Sequence, residues 1–192
     1  MKKILLANCL ALLFACDLPY VENPEAELIS GEVVMEDFDS NNLLNWNIVN
    51  DTVMGGRSQA TLKLINDTYA DFSGYLSLEN NGGFSSIRAY YPPDLANVKS
   101  IILKIKGDGR EYNFRIRGNS NSWASYTHSF ETIEGEWIEK ELKIDDFYPV
   151  YRGYNLKDMP SLSEIIIKEI GIMISDKTEG SFNIGIDWIK AR

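Results

Sequence analysis

From residue 33 onward, apolar side chains recur at every second position. Leu62 and Leu64 form one such set, Phe72, Leu76 and Leu78 a second, Ile101, Leu103 and Ile105 a third, and Tyr112, Phe114 and Ile116 a fourth. Ile138, Leu142 and Ile144 alternate with Glu139, Glu141 and Lys143; Ile170, Ile172 and Ile174 follow; Phe182, Ile184, Ile186 and Trp188 close the chain against Asn183 and Asp187. Successive strand residues point to opposite faces, so each set predicts a strand with one buried side. About ten short strands separated by turn residues predict an all-β sandwich in a single domain. Little helix is expected: one turn over Ser161 to Ile166, after Pro160, and another at Asp145-Asp146-Phe147. Asp108-Gly109 reads as a two-residue hairpin turn between the third and fourth sets, since a type I′ turn needs φ > 0 at both central positions.

The most distinctive string is Asn50-Asp51-Thr52-Val53-Met54-Gly55-Gly56-Arg57-Ser58. One reading is a tight loop between strands, in which the glycines supply φ > 0 or a close approach, Met54 tucks under the sheet edge and Asp51 bonds the turn. The other reading has Asp51, Arg57 and the glycine amides gripping a partner, as exposed amides do for anions. With Trp46 upstream, this stretch resembles the signature of the complex I intermediate-associated protein 30 family. Gly82-Gly83-Phe84 with Arg88, Gly107-Asp108-Gly109-Arg110 with Tyr112, and Asp146-Phe147 through Arg152-Gly153 extend the likeness over roughly residues 36 to 190. The resemblance implies a galactose-binding-like jelly-roll fold and an assembly factor rather than an enzyme. On it, Gly55, Gly56, Gly82, Gly83, Gly107 and Gly109 are structural turn positions, and Asp51, Arg57, Ser58, Arg88 and Arg110 are candidate partner contacts, with Tyr151, Arg152 and Tyr154 added from an aromatic loop.

The first residues predict an address. Lys2 and Lys3 precede a twelve-residue, mostly apolar run, Ile4 to Ala15. At about 1.5 Å per residue, the run is too short for a hydrocarbon core of about 30 Å. It reads as a signal peptide over 1–15, and Leu13-Phe14-Ala15-Cys16 looks like a bacterial lipoprotein cleavage box with Cys16 as the lipidated residue. The expected location is the bacterial cell envelope, held by a lipid anchor. Asp17, next in line, occupies a position that sorts lipoproteins between membranes in some bacteria. Residues 16–32, with Pro19, Pro24 and four glutamates, read as a flexible tether, leaving 33–192 as the domain.

Composition narrows the chemistry. The two cysteines, Cys9 and Cys16, both fall in the leader and its box, and His128 is the lone histidine. No cysteine-histidine zinc site can be built from such a set, and neither a Gly-x-Ser-x-Gly elbow nor a phosphate loop occurs, so no cofactor, metal or catalytic residue is predicted. Asp37-x-Asp39-x-Asn41 begins like a calcium loop but lacks its turn glycine and its closing glutamate. His128 shares a strand face with Tyr126 and Phe130 and reads as structural.

The formal net charge of −9 argues against nucleic acid, which needs clustered Lys and Arg. Arg110, Arg115 and Arg117 are the main basic concentration; the last two share a face that is either solvated or a binding stripe. Trp137 and Trp188 are expected in the core, whereas Tyr148, Tyr151 and Tyr154 fall in a loop-like stretch suited to an interface. The predicted function is a non-catalytic binding or assembly module with a protein partner. A carbohydrate-binding sandwich, with Trp123, Tyr126 and the Tyr151 to Tyr154 loop stacking on sugars, is the alternative.

Overall fold

A computed structural model describes residues 31–39, 43–91, 97–118 and 123–192. The expected leader, the expected lipidation residue Cys16 and most of the expected tether lie outside these residues. In chain order the strands are β1 (Val33–Glu36), β2 (Trp46–Asn50), β3 (Gln59–Ile65), β4 (Tyr69–Leu76), β5 (Ser85–Tyr90), β6 (Ser100–Lys106) and β7 (Glu111–Arg117). They continue as β8 (Ser125–Glu131), β9 (Trp137–Lys143), β10 (Tyr148–Tyr151), β11 (Tyr154–Asn155), β12 (Glu169–Ile174) and β13 (Gly180–Ala191). Among the described residues there is no α-helix. Single 3₁₀ turns occupy Asp51–Met54, Glu79–Asn81, Ile144–Asp146 and Leu162–Glu164, the last two close to the helical turns expected from sequence.

Two antiparallel sheets face each other. One has six strands, ordered β3-β4-β13-β6-β9 with β1 also paired to β13; the other has seven, ordered β11-β10-β8-β7-β12-β5-β2. The alternating apolar sets meet between them: Phe72, Leu103, Ile105 and Ile184 from one sheet, Ile87, Tyr112, Phe114 and Ile172 from the other, all essentially inaccessible. Removing such side chains from water is the main favourable term in folding, about 1.5–3 kcal/mol each. His128 belongs to this inner side, its ring 5.2 Å from that of Phe147.

Three expectations are corrected by the pairing. β6 and β7 lie in different sheets, so Asp108-Gly109 is a crossover and not a hairpin turn. Gly109 alone has positive φ there (82°), while the Asp108 carboxylate accepts from the Tyr112 hydroxyl at 3.1 Å and the Asn183 amide at 2.8 Å, tying the crossing to β13. A type I′ pair does occur elsewhere: Arg152 (φ 48°) and Gly153 (φ 82°) join β10 to β11, so the loop-like tyrosine stretch is a hairpin, with Tyr151 opposite Tyr154. Trp137 and Trp188 are not core residues. A bulge between Ile186 and Trp188 in β13 reverses the alternation, which turns Ile189 inward and Trp188 outward, beneath the Lys190 ammonium at 4.3 Å. Trp137 lies opposite Lys106 on the outer face, 40 % exposed.

Candidate functional site

The signature string folds as a loop closed by its own aspartate. Asp51 is buried, and its carboxylate accepts from the Ser58 amide (2.9 Å) and hydroxyl (2.6 Å), and from the amides of Gly83 (2.7 Å) and Phe84 (3.4 Å). Burial opposes the charge, but the Ser58 hydroxyl and the amides of Gly83, Ser58 and Phe84 together hold this carboxyl below the ordinary aspartate range. Ser58 extends the tie, its hydroxyl oxygen accepting from the Ser77 amide at 3.0 Å, and Asn80 Nδ2 donates to the Gly55 carbonyl at 3.1 Å. One buried carboxylate therefore joins two motifs far apart in sequence, Asp51 to Ser58 and Gly82-Gly83-Phe84.

The glycines serve this knot in two ways. Gly55 and Gly83 have positive φ (91° and 115°). Gly56 and Gly82 leave room: a Cβ at Gly56 would stand 2.4 Å from Asp51 Cγ, and one at Gly82 would stand 2.5 Å from Asp51 Oδ2. Asp51 and Ser58 are thus interior loop residues and not partner-facing, which corrects their candidate role. Met54 is not tucked away either: Val53 and Met54 are exposed at the loop tip. Arg57 does reach solvent, pairing with Glu79 at 2.8 Å, a surface contact worth little by itself.

Arg110 is likewise a structural clasp. Its Nε and Nη2 fork holds Asp176 at 2.9 and 2.7 Å, Nη1 donates to the Ser181 carbonyl at 2.8 Å, and Nη2 also reaches the Thr178 carbonyl. The pair is largely buried. The Asp176 contact raises the Arg110 pKa, and Arg110 in turn keeps the Asp176 carboxyl low against the effect of burial. Near Gly107 the approach is as close, since a Cβ would stand 2.2 Å from Thr132 Cβ.

A second buried carboxylate, Glu36, carries no mark in the sequence pattern. It accepts from the Phe38 amide (2.9 Å), the Leu44 amide (2.8 Å) and Trp46 Nε1 (2.8 Å), closing the loop ahead of β2.

Arg88 lies in a different setting: the outer face of the seven-stranded sheet. Residues directly opposite one another share a face, so the register defines cross-strand rows. The central row runs Tyr148, Thr127, Arg115, Gly171, Arg88, Asn47. Beside it lie Arg117, Glu169 and Tyr90. Arg117 is held by Ser125 Oγ (3.1 Å) and lies 3.5 Å from Glu169.

Arg88 donates to Ser86 Oγ (3.2 Å), and Arg115 donates to the Met173 sulfur (3.1 Å). Among the described residues neither has a carboxylate within ion-pair distance. Burial, then the charges of Arg88 and Arg117, push the Arg115 pKa down to about 10; burial and Arg117 also lower that of Arg88. These side chains line a crevice of about 10 Å³ over Gly171, room for roughly one water. Arg115 and Arg117 were visible in sequence as a two-residue repeat; Arg88 and Glu169 join them only through strand order.

At the β10–β11 end of this sheet, Trp123 meets Tyr151 edge-on at 4.9 Å, and the Arg152 guanidinium lies 5.3 Å from the Tyr151 ring. Tyr154, 77 % exposed, projects beyond them. Tyr151, Arg152 and Tyr154 are thus brought together, but on the hairpin rather than among the sheet arginines.

Comparison with known proteins agrees with this architecture. Residues 36–186 match the family model of complex I intermediate-associated protein 30. The chain belongs to that family. It is 25 % identical over 187 residues to mouse complex I intermediate-associated protein 30, mitochondrial, covering 86 % of this chain and 57 % of the mouse protein. It is 25 % identical over 140 residues to a probable member from Caenorhabditis elegans, covering 66 % of this chain and 39 % of the worm protein. The chain thus spans about half the length, or less, of these curated relatives. Among solved structures, the family 11 carbohydrate-binding module of Clostridium thermocellum with a β-1,3-1,4-mixed-linked tetrasaccharide superposes with TM-score 0.63 at 20 % identity, over 83 % of this chain and 94 % of the module. The fold is therefore the galactose-binding-like sandwich of such modules.

Proposed function

We propose that this family member is a non-catalytic binding module that assists assembly of a membrane protein complex, with the outer face of the seven-stranded sheet as its gripping surface. The observation that carries this reading is the central row, where Arg115 and Arg88 flank a bare Gly171 and, among the described residues, neither guanidinium has a carboxylate within ion-pair distance. Arginine forks recognise carboxylates and carbonyl edges at interfaces. Two unpaired forks on one strip of an acidic protein make a surface incomplete without a ligand. Family membership supports a protein partner, a respiratory complex being the first to test, although the named relatives are mitochondrial and this chain begins with a lipoprotein-like leader. Anchorage through Cys16 in a bacterial envelope forms part of the proposal.

A carbohydrate ligand is the second reading. It is favoured by the cluster of Trp123, Tyr151 and Tyr154, which offers exposed rings on a fold shared with sugar-binding modules.

One experiment separates the two. The tagged full-length chain is used to capture partners from solubilised host membranes, beside a glycan array, with an Arg88→Glu/Arg117→Glu double variant as control. Recovery of a defined complex subunit by the wild type and not by the folded double variant is the expected result. Equal recovery by both would refute this face as the contact surface, and glycan binding without protein capture would favour the second reading.

A further inference from the structure

We infer that the crevice over Gly171 is a seat for a single oxyanion, one carboxylate or phosphoryl group held jointly by Arg88 and Arg115; this rests on the reading of that face as the partner surface. The two side chains share one site instead of standing apart on their strands. Gly171 of β12 lies directly opposite both residues, and a Cβ there would stand 3.2 Å from Arg88 Cγ. The Arg88 stem therefore leans over the bare glycine, and both arginines line the same crevice of about 10 Å³. Burial, and then the charge of Arg88, pushes the Arg115 pKa down, as expected where guanidinium groups converge.

The donors left over define what can sit there. Arg88 spends Nε on Ser86, and Arg115 spends Nη1 on the Met173 sulfur, so Nη1 and Nη2 of Arg88 and Nη2 of Arg115 have no acceptor among the described residues. Charge is unbalanced as well: Arg88, Arg115 and Arg117 line the crevice against Glu169 alone, whose carboxylate lies 3.5 Å from Arg117. A water fills the space but neutralises nothing. An oxyanion supplies both the acceptor lone pairs and the missing charge, and its charge-assisted bonds to guanidinium are roughly twice as strong as neutral ones. Room for roughly one water admits one oxygen of such a group, with the rest of it above the sheet; a sugar ring does not enter. The chain's own net charge of −9 opposes a free anion at long range. A group delivered on a partner gains from that partner's other contacts, which makes it the favoured occupant.

The test is a titration followed through the arginine Nε–H signals in heteronuclear NMR spectra of the full-length chain in mild detergent. Sodium acetate and sodium phosphate are the probes, with sodium chloride at matched ionic strength as control. Saturable, single-site shifts of the Arg88 and Arg115 signals are expected with acetate, phosphate or both, and none with chloride. The tighter of the two probes tells whether the seat suits a carboxylate or a phosphoryl group. Arg88→Gln and Arg115→Gln should each weaken binding at least about tenfold, read on the arginine that remains. Glu169→Gln removes the competing carboxylate at the rim and should tighten binding severalfold. Thermal melts check the variants, and if Arg115→Gln unfolds, the half-buried Arg88→Gln still decides.

Shifts that are absent, that chloride reproduces at equal ionic strength, or that survive both arginine variants overturn the inference. Its failure is separable from that of the partner surface. If neither anion binds while Arg88→Glu/Arg117→Glu still abolishes capture of the complex subunit, the surface stands and the oxyanion seat falls. If the anions bind through Arg88 and Arg115 but capture survives that double variant, the seat stands for free anions and its delivery by a protein partner falls.

Discussion

Replacing Asp51 by alanine should cost the domain about 3–5 kcal/mol. The carboxylate serves four donors, and removing it leaves the Ser58 amide, the Gly83 amide and the Ser58 hydroxyl without their shortest partner inside a closed loop. Each buried donor left unsatisfied costs about 1–3 kcal/mol, and bonds to a charged acceptor lie at the upper end. The sum is capped because the loop can relax and admit water, and losses above about 5 kcal/mol are exceptional. For a domain of this size 1 kcal/mol is worth about 2–4 °C, so the melt should fall by roughly 10 °C.

Asp51→Asn is the sharper test. Two of the closest donors, the Ser58 amide and the Gly83 amide, use different carboxylate oxygens, so an amide must point its NH₂ at one of them. The variant should lose about 2–3 kcal/mol despite its matching shape. The pH dependence has a definite sign. The folded-state pKa is depressed, so the stabilisation is complete above the ordinary aspartate value of 3.8 and disappears as pH falls through the lower folded value. Urea titrations of wild type and Asp51→Asn at a series of pH values from 7 to 3 should therefore converge toward the acid end. A loss below about 1 kcal/mol for Asp51→Ala with unchanged m-value, or a gap between wild type and Asp51→Asn that does not narrow in acid, would refute the account of Asp51 as the loop's ionised closure.

Gly56→Ala and Gly82→Ala should each destabilise by more than about 1 kcal/mol in thermal melts, because the added methyl meets a pinned Asp51 carboxylate. Gly55→Asn should cost about 1 kcal/mol by the same measurement and less than Gly55→Ala, since Gly55 has open space around it and the strain is that of its positive φ alone, which Asn tolerates better. Reductant and chelator should leave the melt of the domain unchanged, there being no cysteine after Cys16; a shift beyond about 5 °C would contradict this. Cys16→Ser should leave an unprocessed form or one released from the detergent phase in phase partition, whereas Cys9→Ser should matter little; a Cys16→Ser protein that still enters the detergent phase after leader removal would refute the anchor.

Much of the fold was legible because alternation is a local property. Phe72, Ile105, Phe114 and Ile172 declare their inward face within their own strands, and the core follows. What alternation cannot convey is which strand lies beside which. Asp108-Gly109 has the composition of a hairpin turn, yet the flanking strands belong to opposite sheets, so the local preference yields to the crossing. Trp188 fails for a related reason: one extra residue in β13 reverses the face of everything after it. That Asp51 bonds its own turn was legible, but its reach to Gly83 and Phe84 and the whole Glu36 knot were hidden, because those donors are mostly backbone amides. Any residue can supply an amide, so Asp51 bonding Gly83 and Phe84, or Glu36 bonding Leu44, leaves no mark in composition. The glycines were visible, but their purpose, making room for a buried aspartate, appears only once Gly56 and Gly82 are seen to stand against the same side chain.

Residue type does not distinguish a clasping arginine from an unanswered one, but stability does. Arg110 and Arg115 are both largely withdrawn from solvent, but the first is answered by Asp176 and three carbonyls, while the second contacts a thioether and feels the charges of Arg88 and Arg117 more strongly than that of Glu169. Breaking a buried pair strands its partner, so Arg110→Met should cost about 3–5 kcal/mol as Asp176 loses its counter-charge. Arg115→Met removes a desolvated charge and its repulsions while keeping apolar length beside Met173, so stability should change by less than about 1 kcal/mol or rise. A residue that folding does not need, held where like charges oppose it, is one whose favourable partner comes from outside the chain. Urea midpoints of the two variants decide the point: if Arg115→Met falls as far as Arg110→Met, Arg115 belongs to the fold, and the unpaired fork on the sheet face loses its claim to a ligand.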